Sequence, residues 1–417
     1  MQNIILLINN KRNLLVLGVV CASLGYLFSV TLTSIGVILL LICWLLNFKD
    51  LNFGVFLKKS ALHLLIIFFI FLLIGLAYSE DLQQGQKFLV RHLSFLLLPL
   101  VFLTIKPFSL KEHNIIIKVF IYSVLLLFII CFLNAIYRQV IFSNQGGHFN
   151  WYFFYRYDFL EVFQQHPTYV SMYTLLSLSY LLDNDRKLFK KNWLRIFILL
   201  VQVFSVILYG SRIGYIILFV LLFMFAIKSL KFKEKKEKGK LILTYLMSIV
   251  SLIIISWNIP IVKERILFTF GYQQDYKFNN KETIKNSTPE KQGRLLLWED
   301  AFELIKEKSI FGYGTGSNDV ILKKKYREKG HLLFLNENYN THNTYLELLL
   351  IGGTTLLLIY LIMLGTLFYQ GVKSKNFVLI SFSLIIVITG LTETLFRIQG
   401  IVFFVFFYCF LLSRKDE

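Results

Sequence analysis

Long apolar runs recur along this chain between short polar connections, and one polar interruption, from about Trp257 to His342, is far longer than the rest. A bilayer crossing needs about 17 to 25 predominantly apolar residues in a helix. On that measure the pattern predicts spans near residues 13–29, 31–48, 60–78, 86–105, 115–137 and 167–182, and then near 194–209, 213–230, 241–257, 344–369, 377–394 and 397–412. The expectation is an all-α polytopic membrane protein of about twelve transmembrane helices. It forms one integral domain over residues 1–417, with a long, partly helical loop at 258–343 between the ninth and tenth helices.

Composition supports the same class. Hydrophobic residues make up 56% of 417, including 42 Phe, which exceeds the need of a soluble core. The net charge of +19 is concentrated in alternate connections. Lys49, Lys58 and Lys59 fall in one; Arg186, Lys187, Lys190 and Lys191 in another; Lys231 to Lys240, then Lys373 and Lys375, then Arg414 and Lys415 follow. Cytoplasmic loops retain Lys and Arg, so both termini are expected in the cytoplasm, with the long loop on the opposite side. The basic balance therefore reports topology and not nucleic-acid binding, and the Lys228 to Lys240 run reads as a solvated anchoring loop. Lys11 and Arg12 precede an apolar run as in a signal peptide, but without a small-residue cleavage signature the segment reads as an uncleaved anchor. Cys21, Cys43, Cys131 and Cys409 all fall within predicted spans, which leaves no disulfide framework and no cysteine metal cluster.

The placement of ionisable residues narrows the function. Ion-coupled transporters carry charged groups deep in their helices. Here the predicted helix centres are nearly free of Asp, Glu, Lys and Arg. Polar groups gather instead at the outer ends: Arg91, His166, Arg212, the long excursion, Glu393 and Arg397. A site at the outer membrane surface, open to lipid and water, is expected.

Three clusters have chemical potential. Gly210-Ser211-Arg212-Ile213-Gly214 reads as a tight turn between two spans, holding a guanidinium whose fork suits phosphate oxygens; the alternative is an arginine snorkelling to headgroups. Thr288 as N-cap and Pro289 at the first helical position open an amphipathic helix. Arg294, Trp298, Ala301, Phe302 and Ile305 are expected along one face of it and Glu299, Asp300, Glu303, Lys306 and Glu307 on the remainder. It ends at Gly312-Tyr313-Gly314-Thr315-Gly316, which fits neither a P-loop nor a dinucleotide fingerprint. In Asn340-Thr341-His342-Asn343-Thr344-Tyr345-Leu346-Glu347, Thr344 and Glu347 read as a capping box, placing His342 at a helix N-terminus where it stays neutral and able to accept a proton. Trp151 to Tyr157 reads as an interfacial aromatic belt. Glu393 and Arg397 are expected to pair and brace the site, and the outer loops hold no Asp-x-Asp pair for a metal-bound nucleotide sugar.

The sequences GSRIGY, RLLLWEDAFELI with GYGTG, and HNTYLELLLIGG, in that order, resemble the O-antigen ligase and O-antigen polymerase superfamily over roughly residues 160–400; Gln165-His166-Pro167-Thr168-Tyr169 adds a further element. The resemblance implies a GT-C-like glycosyltransferase of the bacterial inner membrane, active at the periplasmic face and without a cofactor or metal. Such an enzyme moves a glycan from undecaprenyl diphosphate to an acceptor hydroxyl, with lipid A-core as the acceptor for a ligase and a second glycan for a polymerase. It further implies His342 as the catalytic residue. The leaving diphosphate must be neutralised, which suggests Arg212 and Arg294 as ligands and Arg91 as a weaker one, with His166, Asn343, Trp298, Glu393 and Arg397 in support. A ligase is favoured over a polymerase, and both over a lipid-linked glycan transporter. Single displacement implies inversion. Arg212, Arg294 and His342 are expected to converge on one cavity at the outer leaflet.

Overall fold

The computed structural model describes residues 11–47, 51, 60–183, 188–231, 290–396 and 398–413. The predicted span 241–257, the Thr288-Pro289 helix start, most of the Lys-rich run and Arg397 lie outside the described residues. Among those described, the regular elements are all helical. Among the described residues, six helical stretches, two of them interrupted, are long and apolar enough to cross a membrane: Lys11–Phe28, Leu82–Thr104, Leu110–Asn144, Asn192–Tyr209, Arg212–Leu230 and Thr344–Lys373. Shorter apolar helices at Val30–Leu46, Ala61–Leu76, Phe377–Gly390 and Gly400–Leu412 coincide with other predicted spans. The chain is a multi-pass membrane protein.

Boundaries shift where side chains intervene. The predicted span 86–105 is two helices, Leu82–Arg91 and Ser94–Thr104, joined at His92, whose ring Nδ1 lies 2.8 Å from the Phe88 carbonyl. The span expected at 115–137 is a 35-residue helix, Leu110–Asn144. Its polar extensions are anchored: Glu112 takes two hydrogen bonds from Arg12, and Arg138 pairs with Asp158 and Glu161.

The chain divides into two compact units. The first comprises residues 1–26, 30–119 and 286–417. At its centre, the helix Ile398–Leu412 is buried nearly all round, with Phe403, Phe404, Phe406 and Phe410 at 0% exposure. A helix apolar on every face is buried in lipid or protein, and here protein surrounds it. Phe404 packs on Tyr360 and Phe382, and the Tyr408 hydroxyl donates to the Ala61 carbonyl at 3.0 Å. Much of the phenylalanine content thus serves helix packing.

The second unit comprises residues 27–29 and 120–285. Its described part is built on Pro167–Leu182, every residue of which is buried, flanked by Asn192–Tyr209 and Arg212–Lys231. Gln202 donates to Ser177 Oγ at 2.8 Å across the first of these contacts. Lys228, expected in the solvated loop, instead lies in the last turn of its helix and pairs with Asp183 at 2.9 Å.

The described part of the long polar excursion shares a core with the start of the helix Thr344–Lys373. Leu297, Ala301 and Leu304 from the helix Glu290–Glu307 pack with Ile321 and Tyr326 from Asn318–Glu328 and with Leu346 and Leu350 from Thr344–Lys373. The expected amphipathic face is therefore rotated. Phe302 is 50% exposed, whereas Asp300 is 1% exposed, accepted inside because His331 Nδ1 lies 2.8 Å and Lys329 Nζ 3.0 Å from its oxygens. Burial of a carboxylate is tolerable only with such partners.

Thr344–Lys373 is not one continuous helix. Gly352 and Gly353 leave helical geometry, and Gly353 has φ +61° and ψ −161°, a conformation essentially restricted to glycine. The backbone groups freed by the break pair with the segment that follows the Glu290–Glu307 helix. Tyr313 and Gly314 N–H donate to the Leu350 and Ile351 carbonyls at 2.8 and 2.9 Å, and Thr354 and Thr355 N–H donate to Ser309 and Ile310 at 2.8 and 3.3 Å. The glycine-rich GYGTG turn is accordingly a backbone dock, with Gly312 at φ +65° pressed against the break.

Candidate functional site

In the first unit, local hydrogen bonds fix His342. Its backbone lies in the left-handed region at φ +45°, and its N–H donates to Asn340 Oδ1 at 2.7 Å. The same oxygen accepts the Thr394 hydroxyl at 3.0 Å. The helix that follows is capped by Asn343, whose Oδ1 accepts the N–H groups of Tyr345 and Leu346 at 2.9 and 3.1 Å. The capping box expected at Thr344 is thereby corrected. The Thr344 hydroxyl bonds the Glu393 carbonyl at 2.7 Å and accepts Leu395 N–H at 3.0 Å, stitching the helix start to residues 393–395. The imidazole, 28% exposed, has Nδ1 3.9 Å from Glu393 Oε2. Glu393 thus faces His342, while Arg397, its expected partner, lies outside the described residues.

Trp298 is the clamp on this segment. Its Nε1 donates to the Thr341 carbonyl at 2.9 Å, one residue before His342. Arg294 stands four residues earlier on the same helix, half-buried, so it shares the helix face that docks at the His342 segment. The distal side of this subdomain is held by charge. Glu303 bonds Lys325 and Lys329 at 2.8 and 2.5 Å; these bonds hold its carboxyl far below the ordinary range, at about 2, and raise both lysines.

Arg91 lies on a small cleft of about 40 Å³ in the same unit, with Gln84, Phe88, Asn318, Asp319 and Glu347. Glu347 is buried there, with Asn318 Nδ2 3.3 Å from Oε1. His342 and Arg294 do not line this cleft. With two carboxylates beside Arg91, the cleft is less suited to a diphosphate than a purely cationic site.

Arg212 and His166 belong to the second unit, where two of the sequence elements meet. Gly210 ends one helix at φ +62° and Arg212 opens the next, half-buried. Between them, Ser211 donates from Oγ to Thr168 Oγ1 at 3.3 Å, joining the GSRIGY turn to the QHPTY element. His166 caps the buried helix by accepting Thr168 N–H on Nδ1 at 3.3 Å, and its ring contacts Tyr157 and Tyr169 at 5.5 Å each. Arg156, which the sequence reading did not single out, also reaches this turn. A Cβ placed on Gly210 would come within 2.5 Å of its Cγ. Trp151 to Tyr157 is thus partly structural: Phe154 and Tyr155 are buried, whereas Trp151, Tyr152 and Tyr157 are exposed.

An all-helical, multi-pass membrane protein with polar clusters at helix ends is the class these features define. Residues 197–361 match the family model described as O-antigen ligase, which supports the O-antigen ligase and polymerase superfamily for this chain. The matched stretch contains Arg212, Arg294 and His342. Members of this family are glycosyltransferase-like enzymes. No curated protein matches the chain.

Proposed function

We propose that the protein is an O-antigen ligase-like glycosyltransferase, which moves a glycan from undecaprenyl diphosphate to a lipid A-core hydroxyl at the periplasmic face of the inner membrane. The observation that carries the reading is the family match across residues 197–361, within which His342 is held half-exposed beside Glu393. The acceptor oxygen attacks the anomeric carbon and its proton passes to the His342 imidazole. The bond from that carbon to the diphosphate oxygen breaks, and undecaprenyl diphosphate leaves with the electron pair. Glu393 stabilises the imidazolium that forms. Arg212 and Arg294 take the diphosphate charge, for which a permanently charged, forked guanidinium is well suited. A single displacement inverts the anomeric centre. Arg91, beside carboxylates, is a weaker candidate for the diphosphate.

Deletion of the gene tests the reading through lipopolysaccharide gels and extracted lipid-linked glycan. A ligase predicts loss of all O-antigen and accumulation of long diphosphate-linked glycan. A single repeat retained on the core instead identifies a polymerase. Glycan translocated in proteoliposomes without a new glycosidic bond identifies a transporter. Purified Arg212→Ala, Arg294→Ala and His342→Ala should fold and lose transfer; near-normal turnover in all three sinks the mechanism.

A further inference from the structure

Arg156 combines a strained backbone with a buried, unpartnered Nε. Its backbone φ is +54°, in the left-handed region that a residue with a Cβ rarely adopts. Its Nε is buried without a hydrogen-bond partner among the described residues. The nearest carboxylates in sequence are already engaged: Asp158 and Glu161 both pair with Arg138. What Arg156 has is the Tyr157 ring, 5.4 Å from its guanidinium carbon, and the Gly210 backbone against its Cγ. A left-handed backbone and an unpartnered buried Nε in one half-buried arginine call for a physical explanation, and backbone strain of this kind clusters at ligand-binding positions.

Gly210 connects this residue to a second arginine. Its lack of a Cβ lets Arg156 pack against the turn, and Arg212 follows two residues later at the start of the next helix. The turn is held in place by the Ser211 to Thr168 hydrogen bond. Two arginines rooted at one turn, Arg156 through its Cγ against Gly210 and Arg212 two residues further on, suit a ligand with two adjacent anionic centres. A lone carboxylate would need only one.

We infer that Arg156 is a phosphoryl-oxygen ligand, which forms with Arg212 a two-arginine diphosphate clamp around Gly210. This rests on the transferase reading for the identity of the donor, but the anion site itself does not. The ligand anion supplies the compensation that the protein withholds, so the strain at Arg156 is a feature of binding and not of folding.

The chemistry is shared by a lipid diphosphate and by phospholipid headgroups, and the test separates them. The full chain is placed in phosphatidylcholine nanodiscs, and its thermal midpoint is measured with sodium pyrophosphate, with sodium chloride at equal ionic strength, and with phosphatidylglycerol added to the disc. Pyrophosphate should raise the wild-type midpoint beyond chloride. Arg156→Gly, which accepts the left-handed backbone, should unfold at or above the wild-type midpoint without ligand, yet bind pyrophosphate roughly 10- to 100-fold more weakly. Arg156→Lys should also bind more weakly, because an ammonium lacks the fork. An unchanged pyrophosphate response in Arg156→Gly overturns the inference, as does a lowered midpoint in that variant, which would make Arg156 structural. Stabilisation by phosphatidylglycerol alone overturns it in favour of a headgroup contact. Pyrophosphate protection in a protein that transfers no glycan leaves the clamp standing and removes the transferase reading. Normal transfer by Arg156→Gly does the reverse.

Discussion

The His342 imidazole and the Glu393 carboxylate face each other at 3.9 Å, Nδ1 to Oε2, across a junction closed by two further bonds: Thr344 to the Glu393 carbonyl and Thr394 to Asn340. The pair is thus set by backbone stitching on both sides, and its separation leaves room for adjustment when an acceptor binds. Catalytic hydrogen bonds commonly tighten only in the substrate complex.

His342→Asn is expected to preserve the fold, because Asn tolerates a positive φ, and to lower glycan transfer by about 10²- to 10⁴-fold. Glu393→Gln should cause a smaller loss that appears mainly in kcat. Turnover of purified variants on lipid-linked glycan measures both. Unchanged kcat in Glu393→Gln would separate the carboxylate from the imidazole's work.

Asn343→Ala should destabilise the protein by about 0.5–2 kcal/mol through loss of the helix cap. Asn343→Asp, which keeps the accepting oxygen, should lose less. Thermal unfolding in detergent reads the difference. Thr344→Val tests the corrected assignment: it should loosen residues 393–395, seen as faster amide exchange at Leu395, and leave the Asn343 cap intact.

Far more of the fold than of the site was legible in the sequence. The spans near 194–209 and 213–230 coincide with helices almost to the residue, because apolar runs ending at Gly210 leave little alternative. The break at Gly352-Gly353 was hidden, since LLLIGGTTLLL reads as one apolar run and only the dock at residues 309–314 makes the interruption favourable. Asn343 and Thr344 are both good caps, and the Thr344-x-x-Glu347 spacing pointed to the wrong one because the competing demand on Thr344 comes from residues 393–395. Asp300 was assigned to the polar face for the same reason: its partners, His331 and Lys329, lie about thirty residues away. Arg156 carried only one sequence cue, its place in an aromatic stretch. Strain and desolvation have no signature in composition.

Gly353→Ala should cost on the order of 1–3 kcal/mol, because the new methyl group meets the Ile310 carbonyl and the residue must hold φ +61°. Gly365→Ala, on the same helix with open space around it, should be neutral or stabilise by about 0.5–1 kcal/mol. Paired midpoints from thermal unfolding decide the matter. Equal loss in both would mean that the break does not depend on glycine.

Acid should loosen the distal clamp. The Glu303 carboxyl lies below its ordinary value of 4.5, at about 2, so its contribution is complete above pH 4.5 and is lost as the pH falls toward 2. The groups facing it are Lys325 and Lys329, the latter shared with Asp300, which also meets His331. Protection of residues 318–331 in hydrogen exchange should fall as the pH drops from 4.5 toward 2 in the wild type, and Glu303→Gln should show less of this change. Since the carboxylate is partly exposed, added salt should reduce the effect. An identical pH response in both proteins would assign the loosening to another group.

The docked break in Thr344–Lys373 also dictates an order of assembly. Its open carbonyl and amide groups find their partners in residues 309–314, which precede it in the chain. Within a bilayer such groups are tolerated only when protein covers them. The half of the helix that begins at Thr344 therefore cannot settle until the preceding loop has arrived beside it. Folding of this membrane segment is thereby coupled to folding of the polar excursion that precedes it.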